Sequence, residues 1–130
     1  HGSRAMIPDG ARGADLVAAF DSPHLALNYD IGNAASYGAR SGTAAEDLAA
    51  ALRVAAHLHL KDLRDDGGDW VFCPVGQGAI GYGTAVPLGR IPPRLPVGIE
   101  HPIRLWRPGH GDPQRRAEVP AARTVVAAVR

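Results

Sequence analysis

Residues 56–60, Ala56-His57-Leu58-His59-Leu60, decide the fold, because polar and apolar side chains alternate through them. A period of two marks a strand, whose successive side chains point to opposite faces. His57 and His59 therefore share one face, and Leu58 and Leu60 share the other. Just upstream, Thr43-Ala44-Ala45-Glu46 has the form of a capping box. The threonine hydroxyl can accept the otherwise unpaired amide at Glu46, and the glutamate can reach back in return. The helix it opens runs to about Val54, with Leu48, Leu52 and Ala55 on one face. A helix that feeds a strand with almost no linker belongs to a βαβ pattern.

Outward from that unit the pattern repeats. Residues 13–20 read as the end of an amphipathic helix stopped by Asp21-Ser22-Pro23, and residues 24–29 as a short strand. A third strand is expected at 97–100, and a last helix from Pro120, well placed at a first helical position, to Arg130. Residues 61–78 are polar and glycine-rich and read as a loop. From Gly76 to Pro96 glycine and proline are frequent, and the prolines of 92–96 oppose helix there. Each strand has a polar or small face and an apolar one. Asn28 and Asp30 oppose Leu27 and Tyr29, and Gly98 and Glu100 oppose Val97 and Ile99. Asp30, His59 and Glu100 close the three strands at the end where α/β barrels place their chemistry.

Two carboxylates and an imidazole make a hard, mixed oxygen and nitrogen set, suited to Mn²⁺, Mg²⁺ or Co²⁺, with Zn²⁺ also compatible. Singly, each residue has a plainer explanation: an aspartate after a strand caps a turn or helix, and a histidine can be a satisfied interior group. Three in phase at equivalent strand ends favour a metal. The spacing fits part of a (β/α)8 barrel. A whole barrel takes about 250 residues, or roughly 31 per unit, so a chain of 130 residues holds part of one.

The bulk properties exclude several classes. A net charge of +1 with no basic stripe argues against a nucleic-acid or membrane-surface binder. No apolar run reaches the roughly 18 residues of a bilayer span, and no signal peptide is apparent. The single cysteine, Cys73, cannot close an internal disulfide, so the cytoplasm is the expected compartment. Cys73 lacks an activating neighbour in the sequence and reads as inert. His1-Gly2-Ser3 reads equally well as a tag remnant or as native chain.

Four segments appear in a telling order: N-Y-D-I-G-N-A (28–34), H-L-H-L-K-D (57–62), C-P-V-G-Q-G-A-I (73–80) and G-I-E-H-P (98–102). Over roughly residues 14–110 the chain resembles the xylose-isomerase-like TIM barrels. That family includes sugar-phosphate isomerases and epimerases, ketose 3-epimerases, hydroxypyruvate isomerase and inosose dehydratase. The resemblance implies an α/β fold that is the C-terminal part of a (β/α)8 barrel, about strands six to eight, as one partial domain over 1–130. It implies Asp30, His59 and Glu100 as ligands of a divalent metal. It also implies Glu100 as a proton-transferring catalytic group, and Asn33 and Lys61 as substrate contacts. The activity implied is isomerisation or epimerisation of a small sugar, sugar phosphate or hydroxy-carbonyl compound through a metal-stabilised enediolate. Asn33 also suits a turn, and Lys61 a solvated loop.

The chain departs from the family in two places. The family's fourth ligand, a glutamate ending the fifth strand, has no match, and the stretch after Gly-Gln-Gly is too rich in proline for the usual helix before the last strand. A sheet fragment with open edges is sticky, so the chain is expected to form a homo-oligomer or to join a missing N-terminal half-barrel. A non-catalytic barrel remnant serving assembly or binding is the alternative. A metal nuclease of the same superfamily needs a denser ligand set and a basic groove, neither of which is visible. The arginines of 104–116 read as a solvated loop or, less simply, as a grip on an anionic substrate.

Overall fold

A computed structural model describes residues 5–37 and 42–100, together with Arg123 and Ala127, which are helical. The helix expected over 120–130 and the arginine loop 104–116 otherwise lie outside the described residues.

Among the described residues up to Glu100, helices and strands follow one another as α1 (Gly10–Phe20), β1 (Leu27–Asp30), α2 (Ile31–Ser36), α3 (Ala44–Ala51), β2 (Ala55–Leu60), β3 (Asp62–Asp66), β4 (Asp69–Cys73) and β5 (Val97–Ile99). Strands β1, β2 and β5 form a parallel sheet in that order, so the class is α/β. The alternation fixes its two faces. Across the sheet Tyr29 faces Leu58, Leu58 faces Val97 and Leu60 faces Ile99, while Asp30 faces His59 and His59 faces Gly98. The apolar face forms one core, in which Tyr29, Leu58 and Leu60 meet Leu48 and Ala51 of α3 and Ile31 and Ala34 of α2. Burying each such leucine is worth about 1.5–3 kcal/mol.

The helices begin where the sequence supplies caps. Thr43 Oγ1 accepts from Glu46 N, and Glu46 Oε2 accepts from Thr43 N, so the capping box is present. Helix α1 has Asp9 as N-cap and ends in left-handed Asp21, φ 42°. Asp47 on α3 ties three elements together. Its buried carboxylate accepts Gly10 N at 2.6 Å and Ala11 N at 3.3 Å from the first turn of α1, and the Tyr29 hydroxyl from β1.

Three expectations change. Strand β1 begins at Leu27 rather than residue 24, because a turn in which Leu25 N donates to Ser22 O occupies the preceding segment. A short helix, α2, follows β1 directly, with Asp30 as its N-cap. Most of 61–78 is not loop but the antiparallel hairpin β3–β4, with Asp66 paired to Asp69 around Gly67-Gly68. Those glycines have φ 69° and 99°, the two positive values that a tight hairpin turn needs. Between β4 and β5 the only helical piece among the described residues is a single 3-10 turn, Leu88–Arg90, as the prolines require.

Candidate metal centre

Parallel strands in register bring their C-terminal ends to one edge of the sheet, and there Asp30, His59 and Glu100 converge. One donor atom from each lies within 4.8 Å of the other two. His59 Nδ1 is 3.2 Å from Glu100 Oε2 and 3.9 Å from Asp30 Oδ2. Neighbouring ligands on an octahedral ion with bonds of about 2.1 Å sit about 3 Å apart, so the donors of Asp30 and His59, 3.9 Å apart, must draw together to make one face of such a shell. Asp30 divides its labour: Oδ1 accepts Asn33 N at 2.7 Å and caps α2. Its Oδ2 is buried without a well-aligned hydrogen bond, an oxygen aimed at the cluster. The hard donor set fits a divalent cation, and this buried oxygen has the Lys61 ammonium as a close neighbour at 3.0 Å.

Lys61 completes the cluster. Its ammonium lies 3.0 Å from each of Asp30 Oδ2, Glu100 Oε1 and Asn33 Oδ1. The side chain is 4% exposed, so this is not the solvated loop lysine that the sequence also allowed. Tyr82 locks the backbone beneath it, its hydroxyl donating to Lys61 O at 2.9 Å and accepting from Lys61 N at 3.2 Å. Asn33, the other expected substrate contact, borders a cleft of about 210 Å³ that Ile7, Tyr29, Asp30 and Tyr37 also line.

The charges respond to this packing. Burial, the largest effect, raises the Asp30 pKa, and the Asn33 amide and Lys61 only partly offset it. Partial burial also pushes Glu100 upward, but hydrogen bonding with Lys61 and Asp30 outweighs it and holds Glu100 below the usual carboxylate range. For Lys61, burial disfavours the ammonium, yet Glu100 and Asp30 overcome it and raise the pKa. The two carboxylates are thus pushed apart: Glu100 ionises first.

Four further residues build the site without having been given a role in it from the sequence, although alternation had placed His57 beside His59 and Gly98 beside Glu100. His57 Nδ1 lies 3.0 Å from Asn28 Oδ1, and its ring meets that of His59 edge to face at 4.9 Å. Gly98 leaves room for both rings. Asp62, 1% exposed, accepts Leu63 N, Gly76 N, Gly78 N and Ile80 N, and so pins the Gly-Gln-Gly loop under the cluster. Tyr82 is the fourth. Asp62 left a fainter trace, as a carboxylate followed at a distance by Gly76-Gln77-Gly78, whose backbone amides need an acceptor, and Tyr82 left none. Cys73 is unbridged and buried.

Neither protein-family models nor curated proteins give a match to this chain. Among the described residues no helix is long and apolar enough to cross a membrane.

Proposed function

We propose that this chain is the divalent-metal-binding part of a sugar isomerase or epimerase, with β1, β2 and β5 standing as strands six to eight of a xylose-isomerase-like barrel. The observation that carries the reading is the convergence of Asp30, His59 and Glu100 at the C-terminal ends of three parallel strands in register. Mn²⁺, Mg²⁺ or Co²⁺ suits the donors best. When bound, such an ion supplies Lewis-acid polarisation of a carbonyl. Glu100, kept ionised by Lys61, is the base that takes a proton from the carbon beside that carbonyl. Asn33 gives its side-chain oxygen to Lys61, which leaves its amide nitrogen to donate to a substrate hydroxyl. A cleft of about 210 Å³ adjoins the cluster on the side of Asp30 and Asn33.

A second reading, a non-catalytic remnant that serves assembly, draws on one observation: both edges of the three-stranded sheet are unpaired among the described residues. Titration calorimetry with Mn²⁺ separates the two. The metal reading expects roughly stoichiometric binding that disappears in His59→Ala. Absence of binding by the unmutated chain would remove it and leave assembly. If binding is found, exchange of the proton beside the carbonyl of small ketoses in D₂O, followed by NMR, tests the chemistry. Exchange should require both Mn²⁺ and Glu100, and equal exchange in Glu100→Gln would rule that residue out as the base.

A further inference from the structure

The cluster already contains a cation. Lys61 Nζ has three oxygen neighbours, one each from Asp30, Glu100 and Asn33, all at 3.0 Å, and an ammonium has three hydrogens to offer them. Two of these neighbours are the carboxylates that a metal must use. Nor is the lysine free to leave. The ring of Phe72 lies 5.5 Å from Nζ, and Tyr82 holds both backbone polar groups of Lys61. On the remaining side the backbone of Gly32 presses so close that a Cβ there would lie 2.8 Å from Lys61 Cβ and 2.9 Å from Cγ. A backbone fixed by Tyr82 and a stem packed against Gly32 favour a lysine that stays beside its carboxylates when an ion enters.

We propose that Lys61 is the resident cation of this site: its ammonium holds Asp30 and Glu100 together when no metal is bound, and weakens the binding of a metal when one arrives. The proposal rests on the metal reading above. The charge count gives the direction. The two carboxylates contribute a charge of −2, and the ammonium reduces it to −1. It also shares Asp30 Oδ2, the buried oxygen aimed at the cluster. A carboxylate oxygen has a second lone pair, so a metal and the ammonium can share it, at the cost of mutual repulsion. Lys61 therefore tunes the site towards an ion held loosely enough to exchange. It also keeps two half-buried carboxylates from repelling each other in the metal-free protein.

The test compares the purified chain with Lys61→Met, which keeps the stem and removes the charge. Mn²⁺ is the probe, with titration calorimetry and thermal unfolding as readouts. Lys61→Met should melt at a lower temperature without metal, bind Mn²⁺ at least tenfold more tightly, and gain more in melting temperature from saturating Mn²⁺. Lys61→Gln, which retains a neutral donor, takes its place if Lys61→Met does not fold. Equal or weaker Mn²⁺ binding by the variant, with the unmutated chain binding normally, overturns the proposal while leaving the metal reading intact. Failure of both chains to bind Mn²⁺ overturns the metal reading, and the claim of weakened binding with it. In that case an unchanged melting temperature in the variant overturns the remaining claim as well.

Discussion

His59 faces Gly98 across β2 and β5, and a Cβ at residue 98 would lie 3.1 Å from His57 Cε1 and 3.2 Å from His59 Cδ2. Such contacts are tighter than side chains normally tolerate, so Gly98→Ala must push both imidazoles by a few tenths of an ångström. Metal sites tolerate about 0.2 Å, and loss of a group that orients a ligand typically costs 10–100-fold in affinity. Gly98→Ala should therefore weaken Mn²⁺ binding by about that factor while the far-ultraviolet circular dichroism stays native. Undiminished affinity in calorimetry would show that the ring positions do not depend on this gap. At this scale the sequence was partly legible. Asp30, His59 and Glu100 stood out because each ends a strand whose alternation sets its direction. The burial of Lys61 did not, because Phe72, Gly32 and Tyr82 come to it from other elements, and no local pattern announces a contact across 11 to 29 positions.

Among the elements, α3 owes its start to the reciprocal bonds of Thr43 and Glu46. Thr43→Ala should cost about 1 kcal/mol of stability, the usual worth of an N-cap side chain, measured by urea unfolding. The same box predicts a pH effect. Hydrogen bonds from the Thr43 backbone amide, and then from its hydroxyl, lower the Glu46 pKa in the folded chain. A carboxylate whose folded pKa is depressed contributes stability that is present above its unfolded pKa and lost as pH falls through the folded one. Unfolding curves between neutral and acid pH should therefore converge for the unmutated chain and Glu46→Gln at the acid end. A gap that stays constant with pH would mean that the charge of Glu46 contributes nothing. The capping box was readable because both partners lie within four residues. The β3–β4 hairpin was harder to see: residues 64–70 are exposed on both faces, so no apolar alternation marks the strands. What signal there was lay in Asp66-Gly67-Gly68-Asp69, whose central glycines supply a hairpin turn.

At the scale of the whole molecule, the described residues pack against the sheet chiefly on one face. Leu58 and Leu60 are fully buried against the helices, whereas His57 and His59 on the opposite face are only half-buried and Asn28 is exposed. Among the described residues strands β1 and β5 are its edges, and Ile99 on β5 is 44% exposed although its partner across the sheet, Leu60, is a core residue. Unpaired backbone groups and an exposed apolar side chain on an edge strand favour pairing with another chain, and a lysine placed there opposes it. The 130-residue chain should therefore sediment above its 13.6 kDa monomer mass as concentration rises. Ile99→Lys should shift that equilibrium towards monomer without lowering the melting temperature of the monomer. An unchanged association constant would place the contact elsewhere, either on the histidine face or on the β1 edge. Addition of Mn²⁺ then distinguishes these: an ion bound by Asp30, His59 and Glu100 changes the charge of the histidine face, so an assembly through that face responds to metal and one through the β1 edge does not.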